Sequence, residues 1–71
     1  MDKETIIKLI TTTPSPPVKL VMEGRHSPYF ILDGTVESIQ EDSLIFKSRT
    51  MTGAVSFSKI IEIVIIAGRK L

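Results

Sequence analysis

The feature that most constrains the fold is the stretch from Gly34 to Lys47, which reads as two alternating segments separated by a short acidic turn. Apolar and polar side chains alternate before Glu41-Asp42 and again after it, and a two-residue period is typical of β-strands. Gly34 stands inside the first segment, where a glycine indicates a bend or a close approach between backbones. The stretch therefore predicts an antiparallel pair of strands, the first of them sharply bent.

The rest of the chain predicts one helix and three further strands. Asp2 is a suitable N-cap for a helix over residues 3–11, with Ile6, Leu9 and Ile10 on one apolar stripe and prolines directly after it. Strands are expected at residues 18–22, 29–40, 43–49, 54–58 and 60–66. A helix followed by five antiparallel strands, the second strongly bent, predicts a mostly β fold in the form of a small, partly open barrel.

The length of the chain predicts a single domain that needs support beyond its own core. Its 71 residues divide into the helix at 3–11, the barrel at 17–66 and a short tail at 67–71. A chain this short buries little surface, and with no cysteine and one histidine it has neither disulfides nor a zinc cluster to stabilise it. The run 60–66 is too apolar for an exposed sheet edge, so we expect it to pair with another subunit.

Charge and motifs exclude several classes of protein. Nine basic residues against eight acidic ones leave a net charge of +1, without the basic excess typical of nucleic-acid-binding domains. The sequence contains no nucleophile–base spacing, phosphate-binding glycine loop or metal cluster, so we expect no catalysis and no cofactor. The longest apolar run, 63–67, is too short to cross a membrane. With no targeting segment and no cysteine, a cytoplasmic location is expected.

Two segments resemble the Sm-like fold, and within it most of all the bacterial Hfq branch. The first is Gly34-x-Val36-x-x-Ile39 with the short turn that follows it, and the second is Val55-x-Phe57-Ser58-Lys59-x-Ile61-x-x-Val64. The resemblance extends over residues 17–66. It implies an Sm-like (SH3-like) barrel and a homo-oligomeric ring, commonly a hexamer.

The resemblance also implies how the ring closes and what it binds. In this family the fourth strand of one subunit pairs with the fifth strand of the next, and the ring binds uridine- or adenine-rich single-stranded RNA in post-transcriptional regulation. The candidate interface residues are apolar side chains of these two strands and the break between them: Val55, Phe57, Ile61, Ile63 and Ile65.

The candidate RNA-binding residues lie in the break between the last two strands and in the acidic turn. Lys59 is either a charge at the pore or a solvated turn lysine, and Phe57 either stacks on a base or packs in the core. Phe57-Ser58-Lys59 occupies the place of the family's Tyr-Lys-His triplet, so Ser58 is a candidate as well. Gln40 either hydrogen-bonds a base edge or is an exposed strand end, and Asp42 occupies the position of the family's stacking aromatic residue.

A second function class stays open beside RNA binding. The carboxylate of Asp42 repels phosphates, and the family's histidine is replaced by Lys59, so the alternative is an oligomerisation or protein-interaction module that does not bind RNA. Arg25 and His26, in the loop before the second strand, are candidates for contacts with phosphate or a protein partner, or are simply solvated.

Overall fold

The computed structural model describes residues 1–24 and 29–66, with Tyr29 described through its backbone alone. The candidate loop contacts Arg25 and His26 and the predicted tail at 67–71 lie outside the described residues. The predicted mostly β fold is confirmed: the described residues form one short N-terminal helix and five antiparallel strands. The elements are α1 (Lys3–Leu9), β1 (Val18–Glu23), β2 (Tyr29–Ile39), β3 (Ser43–Ser48), β4 (Thr52–Ser56), a 3₁₀ turn (Phe57–Lys59) and β5 (Ile60–Ile65).

Helix α1 begins at the predicted cap and ends earlier than predicted. The Asp2 side chain accepts a hydrogen bond from the Thr5 N–H at 2.9 Å, and this bond lowers the pKa of Asp2 below its usual value of 3.8. Ile6 and Ile10 are buried, whereas Leu9 is exposed. The helix stops at Leu9 because the threonines that follow are poor helix formers and a proline comes soon after them.

The five strands form one antiparallel sheet in the order β4-β3-β2-β1-β5. Strand β4 begins two residues before its predicted start, because Thr52 and Gly53 continue the pairing with Lys47 and Phe46 on β3. It ends at Ser56, and the next three residues form the 3₁₀ turn instead of more strand.

The sheet is not closed into a barrel, which differs from the predicted barrel. Within the described residues β4 and β5 form its two edges and no ladder joins them. Strand β2 has a register shift just beyond Gly34, and a bulge of this kind bends a strand. Gly34 pairs with Val18 on one side and Ser48 on the other, and a register shift follows Val36. A Cβ atom on Gly34 would collide with the carbonyl oxygen of Lys47, so the close approach predicted from this glycine is confirmed.

The core lies between the sheet and α1. The proline-rich connector that joins α1 to β1, residues 10–17, packs against the same core. Ser15 is the buried polar residue here: its Oγ accepts the Val36 N–H at 2.7 Å, and its own N–H donates to the Val36 carbonyl at 2.8 Å. The connector is therefore tied to the bend of β2. The buried apolar core comprises Ile6, Ile10, Val18, Leu20, Val36, Leu44, Phe46, Phe57, Ile60 and Ile63.

Candidate nucleic-acid interface

The 3₁₀ turn lies between the two edge strands and is fastened to the acidic turn that precedes β3. The Phe57 N–H donates to the Asp42 carbonyl at 3.0 Å, and the Gln40 N–H donates to the Ser43 carbonyl at 2.8 Å. The fold therefore brings Asp42 and the 3₁₀ turn together, as a common site would require. The side chains of Gln40, Asp42 and Ser58 are all exposed there.

Phe57 packs into the core and is not available to a base. Its relative exposure is 7%, and it belongs to the same apolar cluster as Ile60 and Ile63. Of the two interpretations that the sequence allowed, core packing is the one the structure shows. The neighbouring Ser58 hydroxyl lies 3.1 Å from that of Ser56, on the exposed side of the turn.

Lys59 is exposed and has an acidic neighbour that the sequence did not indicate. Its Nζ lies 3.7 Å from Oε1 of Glu23, and the two side chains are 61% and 58% exposed. An ion pair this exposed is weak, so Lys59 stays accessible to an anionic or polar ligand. Glu23 is distant in the chain and reaches the site because β1 lies beside β5 in the sheet.

A cleft of about 330 Å³ opens beside this ion pair. It is lined by Met22, Glu23, Gly24, Phe30 and Lys59. Phe30 is 44% exposed, unlike the buried Phe46 and Phe57, so it is the phenylalanine whose ring a ligand can reach. Phe30 was not among the residues that the sequence singled out. The signal that could have located it is its pairing with Met22, close to the segment that joins β1 to β2.

A wider opening of about 420 Å³ lies at the bend of β2, away from the 3₁₀ turn. It is lined by both signs of charge, including Asp33, Glu37, Lys47 and Arg49, and its lining contains no aromatic side chain. The Thr35 hydroxyl donates to the Glu37 carboxylate at 2.7 Å within it. This surface lacks the stacking platform that the cleft at Phe30 has.

The candidate interface residues fall into two groups. Ile63 and Phe57 are buried in the core of the chain itself, and Val55 is partly buried against it. Ile61 and Ile65 are exposed on β5. Val64, which was not among the candidates, is exposed as well. Strand β5 thus presents exposed apolar side chains at an edge of the sheet.

Comparison with known proteins gives no match, whether to a family model, to a curated protein or to a solved structure. In the described part of the chain, no three or more His, Cys, Asp or Glu side chains are grouped so that they could hold a metal ion. Across residues 1–24 and 29–66, no helix has the length and apolar character needed to cross a membrane.

Proposed function

We propose that this chain is the subunit of an Sm-like homo-oligomeric ring, commonly of six copies in the family it resembles, which binds single-stranded RNA and acts in post-transcriptional regulation. The observation that carries the proposal is the pair of free sheet edges, β4 and β5, on either side of the 3₁₀ turn. The resemblance of residues 17–66 to the Hfq branch supports the same assembly.

The two edges suit each other as partners. A free edge presents unpaired N–H and C=O groups and is normally covered, charged or paired. Edge β5 instead exposes Ile61, Val64 and Ile65, and edge β4 has nearly the same length and exposes small side chains. Pairing β4 of one copy with β5 of the next uses different surfaces on the two copies, so repetition generates a ring when the rotation closes.

The cleft at Phe30 supports RNA as the ligand of the ring. It combines an aromatic face with the ammonium group of Lys59, and proteins bind single strands by stacking bases on aromatic rings beside positive charges. A ring repeats this cleft once per subunit, so successive nucleotides of one strand engage several weak sites at a high effective concentration.

Binding of short uridine-rich and adenine-rich RNAs, measured by fluorescence anisotropy at two salt concentrations, tests the proposal. We expect the assembled protein to bind and the affinity to fall as salt rises, because phosphate contacts release counterions. Lys59→Gln should weaken binding and flatten the salt dependence, whereas Lys8→Gln, on the helix, should change neither. Absence of binding by intact rings at low salt would contradict RNA as the ligand.

Three observations favour a second candidate function, an Sm-like assembly or protein-interaction module that does not bind RNA. Glu23 offsets the charge of Lys59, Asp42 is exposed where the family stacks a base, and Phe57 is buried. This function predicts intact rings that purify without nucleic acid, judged by the absorbance ratio. It also predicts a protein partner that is retained after nuclease treatment, and recovery of RNA alone would exclude it.

A further inference from the structure

The cleft beside the 3₁₀ turn has an apolar floor that the core leaves uncovered. Met22 pairs with Phe30 on β2 and with Ile60 on β5, and directly paired residues project from the same face of a sheet. Ile60 is buried, whereas Phe30 is 44% exposed, so the core ends between them. The exposed phenyl ring is thus a flat apolar surface at the rim of the core.

The rim of the cleft carries one acceptor group and one donor group side by side. The Glu23 carboxylate only accepts hydrogen bonds and the Lys59 ammonium only donates them, and their nearest atoms are 3.7 Å apart. They are the charged side chains of the cleft lining. At about 330 Å³ the cleft is at the small end of ligand sites, which suits one planar ring system and not several.

A carboxylate acceptor beside an ammonium donor matches the hydrogen-bonding edge of one of the four RNA bases better than the others. Guanine presents two neighbouring donors, N1–H and the N2 amine, next to the O6 acceptor, so a carboxylate can accept both donors while an ammonium donates to O6. Uracil places its single N–H between two carbonyl oxygens, which repel a carboxylate. Adenine and cytosine offer an amine but have an acceptor where guanine has its ring N–H.

We infer that the cleft formed by Phe30, Glu23 and Lys59 binds one unpaired guanine base of a single-stranded RNA, an inference that rests on the proposed RNA-binding function. The base stacks on the Phe30 ring, its N1–H and N2 amine donate to Glu23, and Lys59 donates to O6. Glu23 is in this arrangement a residue that selects the base, and not only a group that weakens the attraction of Lys59 for phosphate.

The experiment uses the full chain and nine-nucleotide RNAs of uridine in which the central position is guanosine, inosine, adenosine or uridine. Inosine keeps N1–H and O6 and lacks only the N2 amine, so it isolates one of the predicted bonds. Because each RNA has at most one guanosine, four-stranded guanine structures do not form. We expect guanosine to bind on the order of tenfold more tightly than uridine, with inosine between them, as a bidentate base contact discriminates.

Variants with matched controls assign the preference to this cleft. Glu23→Gln should remove the difference between guanosine and inosine while leaving the mass of the assembly unchanged, and Glu4→Gln, an exposed carboxylate on the helix, should leave the preference intact. Phe30→Ala should weaken binding of every RNA because stacking is lost, whereas Ile31→Ala, at a neighbour that is also exposed, should not.

The possible outcomes separate the guanine site from the proposed RNA-binding function on which it rests. Equal affinity for the four RNAs, bound by intact rings, would overturn the guanine site and leave the proposed function standing. A guanosine preference that survives Glu23→Gln would overturn its assignment to this cleft. Failure to bind any of these RNAs, with failure to bind the adenine-rich RNAs of the earlier test as well, would overturn both proposals together.

Discussion

At the scale of single residues, Gly34 lies where the neighbouring strand leaves no room for a Cβ atom. A Cβ atom there meets the Lys47 carbonyl oxygen and lies 3.0 Å from the Phe46 ring, whereas a Cβ on Gly53 meets nothing within 4 Å. Gly34→Ala should therefore lower the free energy of unfolding by about 1–3 kcal/mol, as overpacking does. For a domain of this size that corresponds to a fall in Tm of several degrees.

The matched control for this change is Gly53→Ala, which adds the same methyl group to a position in β4 that is open in the single chain. We expect its free energy of unfolding to stay within about 0.5 kcal/mol of that of the parent chain. Both variants are compared in thermal melts at one protein concentration, because assembly makes Tm depend on concentration. Equal Tm values for the two variants would contradict the close approach at the bend.

Ser15 is the second residue whose substitution should lower the free energy of unfolding. Ser15→Ala leaves the buried Val36 N–H without its acceptor, which should cost about 1–3 kcal/mol of the free energy of unfolding. Ser58→Ala makes the same chemical change at an exposed hydroxyl and should cost far less. Chemical denaturation of both variants measures the difference, and an unchanged stability of Ser15→Ala would show that the Ser15 hydroxyl does not stabilise its contact with β2.

At the scale of elements, the apolar edge of β5 is the feature with the clearest consequence. Ile61 is exposed in the single chain, so Ile61→Asp should leave the subunit folded and prevent assembly by placing a carboxylate in the apolar contact. Ile31→Asp is the control, since Ile31 has nearly the same exposure on the interior strand β2. Circular dichroism and light scattering read folding and assembly separately. Intact assemblies of Ile61→Asp would place the interface elsewhere.

The elements themselves were largely predictable from local pattern, because the signals that define them are local. Asp2 caps α1 as expected, alternation around Glu41-Asp42 locates β2 and β3, and Gly34 marks the bend. The start of β4 was missed since Thr52 and Gly53 become strand only by pairing with β3.

The candidate site was less predictable, because it is assembled from strands that are distant in the chain. Lys59 was identified, but its neighbour Glu23 and the exposed ring of Phe30 reach it only through the pairing of β1 with β2 and β5. Alternation gives Phe30 the same parity as the buried Val36 and could not show that the core ends before Phe30. Burial of Ile63 and Phe57 likewise depends on how far the sheet curls, which the strand pattern does not encode.

At the scale of the whole molecule, the proposed function requires that other copies complete the two free edges. A chain of 71 residues with a modest core and no disulfide would gain stability if assembly buried the apolar edge of β5. A head-to-tail contact that closes gives a ring, and one that does not close gives a filament. Under the proposed function, the site at Phe30 and Lys59 would gain its affinity for an RNA strand by being repeated around such a ring.

The most direct test is the mass of the assembly, measured by native mass spectrometry at micromolar concentration after nuclease treatment. We expect one discrete species at a fixed multiple of the 7.9 kDa subunit, with six copies as the expected number. This species should dissociate in Ile61→Asp and persist in Ile31→Asp. A single species of 7.9 kDa under the same conditions would contradict the proposed assembly, and with it the ring on which the RNA site depends.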